Sequence, residues 1–148
     1  MKRILDMYIR EIEINDYDEM YCLWTRIPGI GLSSADSRSN IQKFLLRNKG
    51  LSFLCLEEEK IVGTVLCGHD GRRGYIYHVA VDEGYRGKGI GRALVEKSLN
   101  QLKKEGIDKC HLFVFVDNFI GNSFWTSLGW TKREDILVYS KANLINRL

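Results

Sequence analysis

Apolar and polar positions change period several times along the chain, and each change marks an element. Tyr8 to Ile14 alternates, with Tyr8, Ile12 and Ile14 sharing a face with Arg10, and reads as a strand. Asn15 or Asp16 can cap a helix reaching about Thr25, in which Met20, Leu23 and Trp24 recur at helical spacing. Pro28, Gly29 and Gly31 break that helix, and the stretch 28–40 is a small, polar loop long enough to carry function. A second helix is expected from Ser37 or Ser39 to Asn48, with Gly50 as its stop. Leu51 to Leu56 and Ile61 to Gly68 form a hairpin around the charged turn Glu57 to Lys60. Asp70-Gly71 and Gly74 mark a turn, and Tyr75 to Val81 follows as a third strand. After a glycine-rich turn, a helix to about Glu105 places Ile90, Leu94, Leu99 and Leu102 inward and ends before Gly106. Lys109 to Val116 reads as a strand and Asn118 to Leu128 as a short helix, with Ile120, Phe124 and Leu128 on one side. Trp130 and Ile136 to Ser140 are expected to close the chain as β structure.

The resulting order, β-α-α-β-β-β-α-β-α-β, joins a hairpin meander to a βαβ crossover. It predicts an α+β fold with one mixed sheet and helices on both faces. A length of 148 residues is that of one domain, 1–148, which buries about two-thirds of its unfolded surface without a disulfide or metal staple. Apolar residues at 45%, charged residues at 28% and a single proline exclude a disordered or collagen-like chain.

Net charge is +3, too weak for a chain that coats nucleic acid or a membrane surface. The distribution matters more. Arg86, Lys88, Arg92, Lys97, Lys103 and Lys104 fall in one short stretch with only Glu96 and Glu105 among them, which suits a small polyanion. Lys97, Lys103 and Lys104 also fit a solvated helix face; Arg86 and Lys88 do not. The four cysteines, Cys22, Cys55, Cys67 and Cys110, form no C-x-x-C and no zinc spacing with histidine, and each lies in an apolar run as a small buried hydrophobe. Asp6 and Arg10 interrupt the apolar positions near the N-terminus, so no signal peptide is expected, and no run nears the ~20 apolar residues of a membrane span. These features predict a reduced, cytoplasmic protein without a metal.

The turn after the third meander strand carries the chemistry. In Val79-Ala80-Val81-Asp82-Glu83-Gly84-Tyr85-Arg86-Gly87-Lys88-Gly89-Ile90-Gly91-Arg92, alternating glycines allow close approach of a ligand to the backbone. The first turn of the following helix offers unpaired N–H groups and the positive end of a dipole. Arg86, Lys88 and Arg92 add full charges, giving a diphosphate cradle. A P-loop fails because Ile90 follows Gly89 where lysine is required. A dinucleotide fingerprint fails because Leu94 stands where its third glycine belongs.

What fits is R-x-x-G-x-G, met by Arg86, Gly89 and Gly91. Here the sequence resembles the GNAT superfamily of acetyl-CoA-dependent N-acetyltransferases, in particular its small single-domain bacterial members. The likeness continues through Asn118, Gly121, Phe124, Trp125, Leu128, Gly129 and Trp130, which follow the family pattern N-x-x-A-x-x-x-Y-x-x-L-G-[FY]. The resemblance implies the acyl-CoA N-acyltransferase fold, with a mostly antiparallel sheet of about six to seven strands. It also implies transfer of acetyl from acetyl-CoA, as cosubstrate, to a primary amine of a small molecule or a peptide N-terminus within a ternary complex. The alternative is an acyl-CoA-binding module with weak or no turnover; an RNA-binding protein has only the basic cluster behind it. Either a monomer or a homodimer is compatible.

Carried onto this chain, the resemblance gives the pyrophosphate to Arg86, Gly87, Lys88, Gly89, Ile90, Gly91 and Arg92, and the pantetheine to the strand Val79, Ala80 and Val81. The Val79 N–H is then the donor to the thioester oxygen, a kind of electrostatic contribution that can be worth a few kcal/mol. Asn118 is expected to contact the cofactor arm or to cap its helix; the two are compatible. Trp125 stands where the family commonly has a tyrosine acid, and indole N–H cannot titrate usefully. Phe113 stands where relatives that acetylate ribosomal proteins carry a glutamate base. An acceptor lysine with a pKa of about 10.4 is rarely neutral at pH 7, so a general base is expected. Its candidates are His78, Tyr77, His111 and Glu57 to Glu59. Strand alternation puts Tyr75, Tyr77 and Val79 on the site face and Ile76, His78 and Ala80 behind it, which makes His78 and His111 structural. Trp24, Tyr75, Tyr77 and the loop 28–40 are expected to line the acceptor site.

Overall fold

A computed structural model describes residues 7–145. Five strands form one sheet in chain order: β1 (Met7–Glu11), β2 (Phe53–Glu57), β3 (Lys60–His69), β4 (Gly74–Val81) and β5 (Cys110–Leu112). The first four pair antiparallel, and β4 pairs parallel with β5 across the crossover helix α3 (Ile90–Lys104). Helices α1 (Tyr17–Arg26) and α2 (Arg38–Arg47) precede the meander, and α4 (Phe119–Ser127) follows β5.

β3 is central, and Ile61 to Gly68 are all buried, because the sheet is covered on both faces. On one face α3 and α4 pack over Cys55, Val65, Cys67 and Ile76 through Ile90, Leu94, Leu102 and Phe124. On the other, α1 and α2 cover Leu54, Leu56, Leu66 and Ala80 with Met20, Leu23, Trp24 and Ile41. Gly63 lets α3 settle close to the sheet, since a Cβ there would lie 2.9 Å from Ile90 Cγ2.

The structure corrects four expectations. The sheet has five strands among the described residues, not six to seven. β5 ends at Leu112 instead of Val116, and Trp130 and Ile136 to Ser140 form no strand; Gly129 closes α4 at φ +88°, and every described residue from Thr131 onward is exposed. Cys22 is exposed, whereas Cys55 and Cys67 are buried and Cys110 is half-buried. Finally, β4 does not alternate throughout. Thr64 pairs with Ala80 but Leu66 pairs with Tyr77, so two residues of β4, His78 and Val79, oppose one of β3. His78 takes φ +47°, and this bulge resets the faces. Tyr77, His78 and Ala80 look toward α1 and α2, and Val79 joins Ile76 and Val81 on the α3 side.

Candidate active site

Pairing of β4 with β5 stops at Ile76 and Leu112. Beyond that point the two chains part and open a cleft of about 640 Å³. Its floor is β4, its far wall is Leu112 to Phe115 with α4, and its mouth is roofed by the loop from Ile27 to Gly31. The β5-facing backbone groups of β4 past Ile76 have no strand partner among the described residues, so an extended ligand can add there as a strand does.

At one end of the cleft lies the glycine turn. Asp82 holds its start, accepting the Gly84 N–H at 3.1 Å through Oδ1 and binding Arg26 at 3.1 Å through Oδ2. Gly89 occupies the N-cap of α3 at φ +82° with no side-chain cap, and the first intrahelical bond runs from Ala93 N–H to the Gly89 carbonyl at 3.0 Å. The N–H groups of Ile90, Gly91 and Arg92 are therefore left for a ligand, at the positive end of a 15-residue helix. A Cβ at Gly87 or Gly89 would meet no protein atom within 4 Å, so the space beside both is open. Arg86 and Lys88 make no ion pair among the described residues, whereas Arg92 binds Glu96 at 3.2 Å. Unpaired donors, open space and uncompensated cations fit a pyrophosphate.

Val79, Val81, Arg86, Gly87, Gly89, Ile90, Gly91, Arg92, Asn118, Tyr77 and Trp125 all line this cleft. Lys88 lies in the same turn, its ammonium 5.3 Å from the Tyr85 ring centroid, and the Ala80 side chain is buried under α1. Asn118 both caps and clamps: Oδ1 accepts the Gly121 N–H at 2.9 Å, and the carboxamide packs against Gly29 of the roof loop. Two residues lie elsewhere than expected. Trp24 is 1% exposed, donates its indole N–H to Thr64 at 2.9 Å and belongs to the core. Tyr75 sits outside the cleft, against His111 and Phe113. Neither His111 nor the turn Glu57 to Glu59 lines the cleft.

His78 does line it, contrary to the strand-parity expectation. Its Nε2–H donates to Asp36 Oδ1 at 2.6 Å, and Asp36 is 6% exposed. That carboxylate is fixed from behind: its Oδ2 accepts the Ser33 N–H at 2.9 Å, and the Asp36 carbonyl accepts the Tyr17 hydroxyl at 2.5 Å. The imidazole stands edge-on to Trp24, centroids 4.8 Å apart, and the His78 carbonyl accepts the Thr64 hydroxyl at 3.0 Å. With Nε2 bound, Nδ1 carries the free lone pair. It has no hydrogen-bond partner among the described residues and is not sealed off, and His78 is one of the residues lining the cleft. A carboxylate that fixes the tautomer of an imidazole is the arrangement of an oriented general base. Tyr77 beside it is a donor: burial, with Tyr75 and Cys110 nearby, raises its phenol above the usual value and keeps it protonated. Sequence reasoning missed Asp36. Its visible signal was the Ser33-x-x-Asp36 capping pattern, which speaks of a turn and not of a partner on β4.

Comparison with known proteins agrees with this geometry. The model of the acetyltransferase (GNAT) family matches residues 17–130. Acetyltransferase SG1711 of Sodalis glossinidius is 29% identical over 135 residues, covering 91% of this chain and 94% of that protein. Among solved structures, Ard1 from Thermoplasma volcanium superimposes with a TM-score of 0.76 at 20% identity, over 86% of this chain and 84% of its own. The PaiA N-acetyltransferase from Thermoplasma acidophilum, solved with coenzyme A, gives 0.72 at 18% identity over 89% and 94%. The glycine cradle, the parted strands and the family match lead to one conclusion: this chain belongs to the GNAT family of acetyltransferases, enzymes that draw their acetyl group from acetyl-CoA.

Proposed function

We propose that the protein acetylates the primary amine of a small, weakly charged or aromatic molecule, or of a peptide N-terminus, by direct transfer from acetyl-CoA in a ternary complex. The observation that carries this reading is His78, hydrogen-bonded to Asp36 behind it, in the wall of the same cleft that ends in the anion cradle. No carboxylate and no cysteine occur among the residues lining the cleft, which argues against a polycationic acceptor and against an acyl-cysteine intermediate. Aromatic and aliphatic lining from Ile27, Ile30, Tyr77, Phe113 and Phe115 favours an apolar neighbour to the amine. The coenzyme A of the PaiA neighbour supports the same donor here.

In this mechanism the cradle Arg86–Arg92 holds the pyrophosphate and the free side of β4 aligns the pantetheine. His78 Nδ1 takes a proton from the acceptor ammonium, directly or through one water. The neutral nitrogen attacks the thioester carbon, a C–N bond forms, and the carbonyl oxygen takes up negative charge opposite the Val79 N–H. Collapse breaks the C–S bond. The proton held on His78 passes to the departing thiolate through Tyr77 or water, and the second amine proton leaves to solvent. Trp125 serves as an apolar wall for the arm, so no acid is required from it; a thiol of pKa about 8.5 is a tolerable leaving group.

No helix among the described residues is long and apolar enough to cross a membrane. A cytoplasmic setting, where acetyl-CoA and reduced thiols coexist, is part of this proposal. The test is a panel of amines, small and peptidic, incubated with acetyl-CoA while free CoA thiol is measured. Turnover on aromatic or peptidyl amines with little on polyamines is the expected result. Tight acetyl-CoA binding with no thiol release on any amine would instead establish the binding-module reading.

A further inference from the structure

Five polar residues are buried among the described ones: Asp36, Asn48, Ser52, Thr64 and Ser98. Three of them tie backbone together away from the cleft. Asn48 accepts the His69 N–H at 3.0 Å, Ser52 accepts the Cys67 N–H at 3.0 Å, and Ser98 donates to the Leu51 carbonyl at 2.8 Å. The other two converge on His78, Asp36 at its ring and Thr64 at its carbonyl. Thr64 is fully buried, in a strand whose neighbouring Val62, Val65 and Leu66 are apolar. Its hydroxyl accepts the Trp24 indole N–H at 2.9 Å and donates to the His78 carbonyl at 3.0 Å. An indole only donates and a carbonyl only accepts, so the single hydroxyl proton has one place to go. The chain of bonds runs one way, from Trp24 through Thr64 to His78, and each bond polarises the next.

The His78 carbonyl shares its peptide unit with the Val79 N–H. The described chain has no cis peptide bond, and in a trans unit the carbonyl and the N–H point opposite ways. Drawing the oxygen toward Thr64 therefore turns the Val79 N–H away from Thr64, and Val79 lines the cleft. The need for such a tether is local. At the bulge His78 and Val79 oppose one residue of β3, so the regular ladder does not by itself fix this peptide. We infer that Thr64 is a positioning residue for acyl transfer: its hydroxyl, oriented by Trp24, sets the plane of the His78–Val79 peptide and aims the Val79 N–H at the thioester oxygen. A donor held in place before the charge develops has no reorganisation to undergo during the reaction. The same bond anchors the His78 backbone, so one buried hydroxyl keeps oxyanion donor and base in register. This inference rests on the reading of Val79 as the oxyanion donor and goes beyond it by naming what sets the donor's direction.

Infrared difference spectra of bound acetyl-CoA, isotopically labelled at its thioester carbonyl, test it without any acceptor. In wild type the bound carbonyl band is expected below its frequency in free acetyl-CoA, the mark of a hydrogen bond to the oxygen. Thr64→Val keeps the shape of the side chain and removes the hydroxyl, and more than half of that shift should be lost. Thr64→Ser should keep it. His78→Gln, which retains the carbonyl and the Val79 N–H, should keep it too, so a failure of His78 as base stays separate. With an amine that turns over, Thr64→Val should lower kcat by roughly ten- to a hundredfold at unchanged KM for acetyl-CoA, and Thr64→Ser should restore it. Thr64→Val leaves the indole without an acceptor. Trp24→Phe/Thr64→Val removes that orphaned donor and should show the same spectral loss in a fold verified by circular dichroism. A full wild-type shift in either folded valine variant overturns the role of Thr64 and leaves Val79 as donor. So does a serine variant that fails to rescue. An unshifted band in wild type overturns the Val79 donor itself, and this inference with it.

Discussion

His78 and Asp36, 42 positions apart, meet at 2.6 Å because a loop turn and a strand bulge deliver them to one point. Ser33 and Asp36 cap that turn reciprocally, and the bulge swings the imidazole out of strand alternation onto the α1 face. A left-handed φ at a histidine costs on the order of 1 kcal/mol and is kept where surroundings over-determine it. Here the Asp36 and Thr64 hydrogen bonds do so. Replacing His78 by Gln should lower kcat by about a hundred- to ten-thousandfold while leaving acetyl-CoA affinity unchanged. Asp36→Asn should also lower kcat, because an amide can donate to Nε2 and move the proton to Nδ1, the wrong tautomer. Steady-state kinetics with calorimetric acetyl-CoA titration separate these effects. Unchanged kcat in both variants would remove the dyad from the mechanism.

Gly89→Glu should abolish acetyl-CoA binding. Its side chain would enter the open space of the cradle with a negative charge, and its φ of +82° adds roughly 1–2 kcal/mol of strain for any L side chain. The fold should survive, since no protein atom lies within 4 Å of the new Cβ. Retained affinity by titration calorimetry would relocate the pyrophosphate.

Trp125→Tyr restores a titratable hydroxyl at a cleft wall. The indole packs 4.9 Å from Phe124 and 5.0 Å from Trp130, so the smaller ring should lose some stability but keep acetyl-CoA affinity. The turnover number is expected to stay level or rise. A fall of more than about tenfold would show that the indole makes a contact strengthened in the transition state.

Glu58 and Glu59 form the two-residue turn between paired Glu57 and Lys60, both at positive φ, +47° and +65°. Asn-Gly is the sequence such a turn favours. Glu58→Asn/Glu59→Gly should therefore stabilise the fold by ~1–2 kcal/mol, read as a higher thermal midpoint, with kinetics untouched because the turn lies outside the cleft.

Burial pushes the Cys55 and Cys110 thiols up to about 11 and Cys67 to about 12, with the Glu57 charge adding to the first and Cys110 to the last. Unfolded thiols titrate near about 8.5. Between these values the folded chain keeps protons the unfolded chain has released, so stability falls as pH rises from about 9 to about 11. Urea midpoints measured across that interval should decline, and less steeply in a Cys55→Ala chain. A flat profile in wild type would mean the thiols are not sealed.

The meander, α3 and the cradle were legible because local signals agree there: short apolar runs bounded by turn residues in β2 to β4, a long amphipathic period in α3, and glycines at its start. The C-terminal run reads equally well as a strand, yet among the described residues it pairs with no strand, since strand propensity at Ile136 to Tyr139 says nothing about what pairs with it. The bulge was invisible for a related reason. One extra residue without glycine leaves the apolar pattern of β4 intact, but it turns His78 from the back of the sheet into the cleft. Asp36 announces its cap and conceals its partner.

The bulge at His78 and Val79 has a further consequence for how mutations will partition. Val79, Val81, Ile90, Phe124 and Trp125 rest on the core beneath α3, while Ala80, Trp24, Ile27, Ile30 and Phe44 belong to the core beneath α1 and α2. The donor side and the proposed acceptor side therefore rest on opposite faces of one sheet, with β2, β3 and β4 contributing to both cores. Loosening the first core should surface as a changed KM for acetyl-CoA, loosening the second as a changed KM for the amine. The acceptor side can be rebuilt around a new amine while the thioester stays in register.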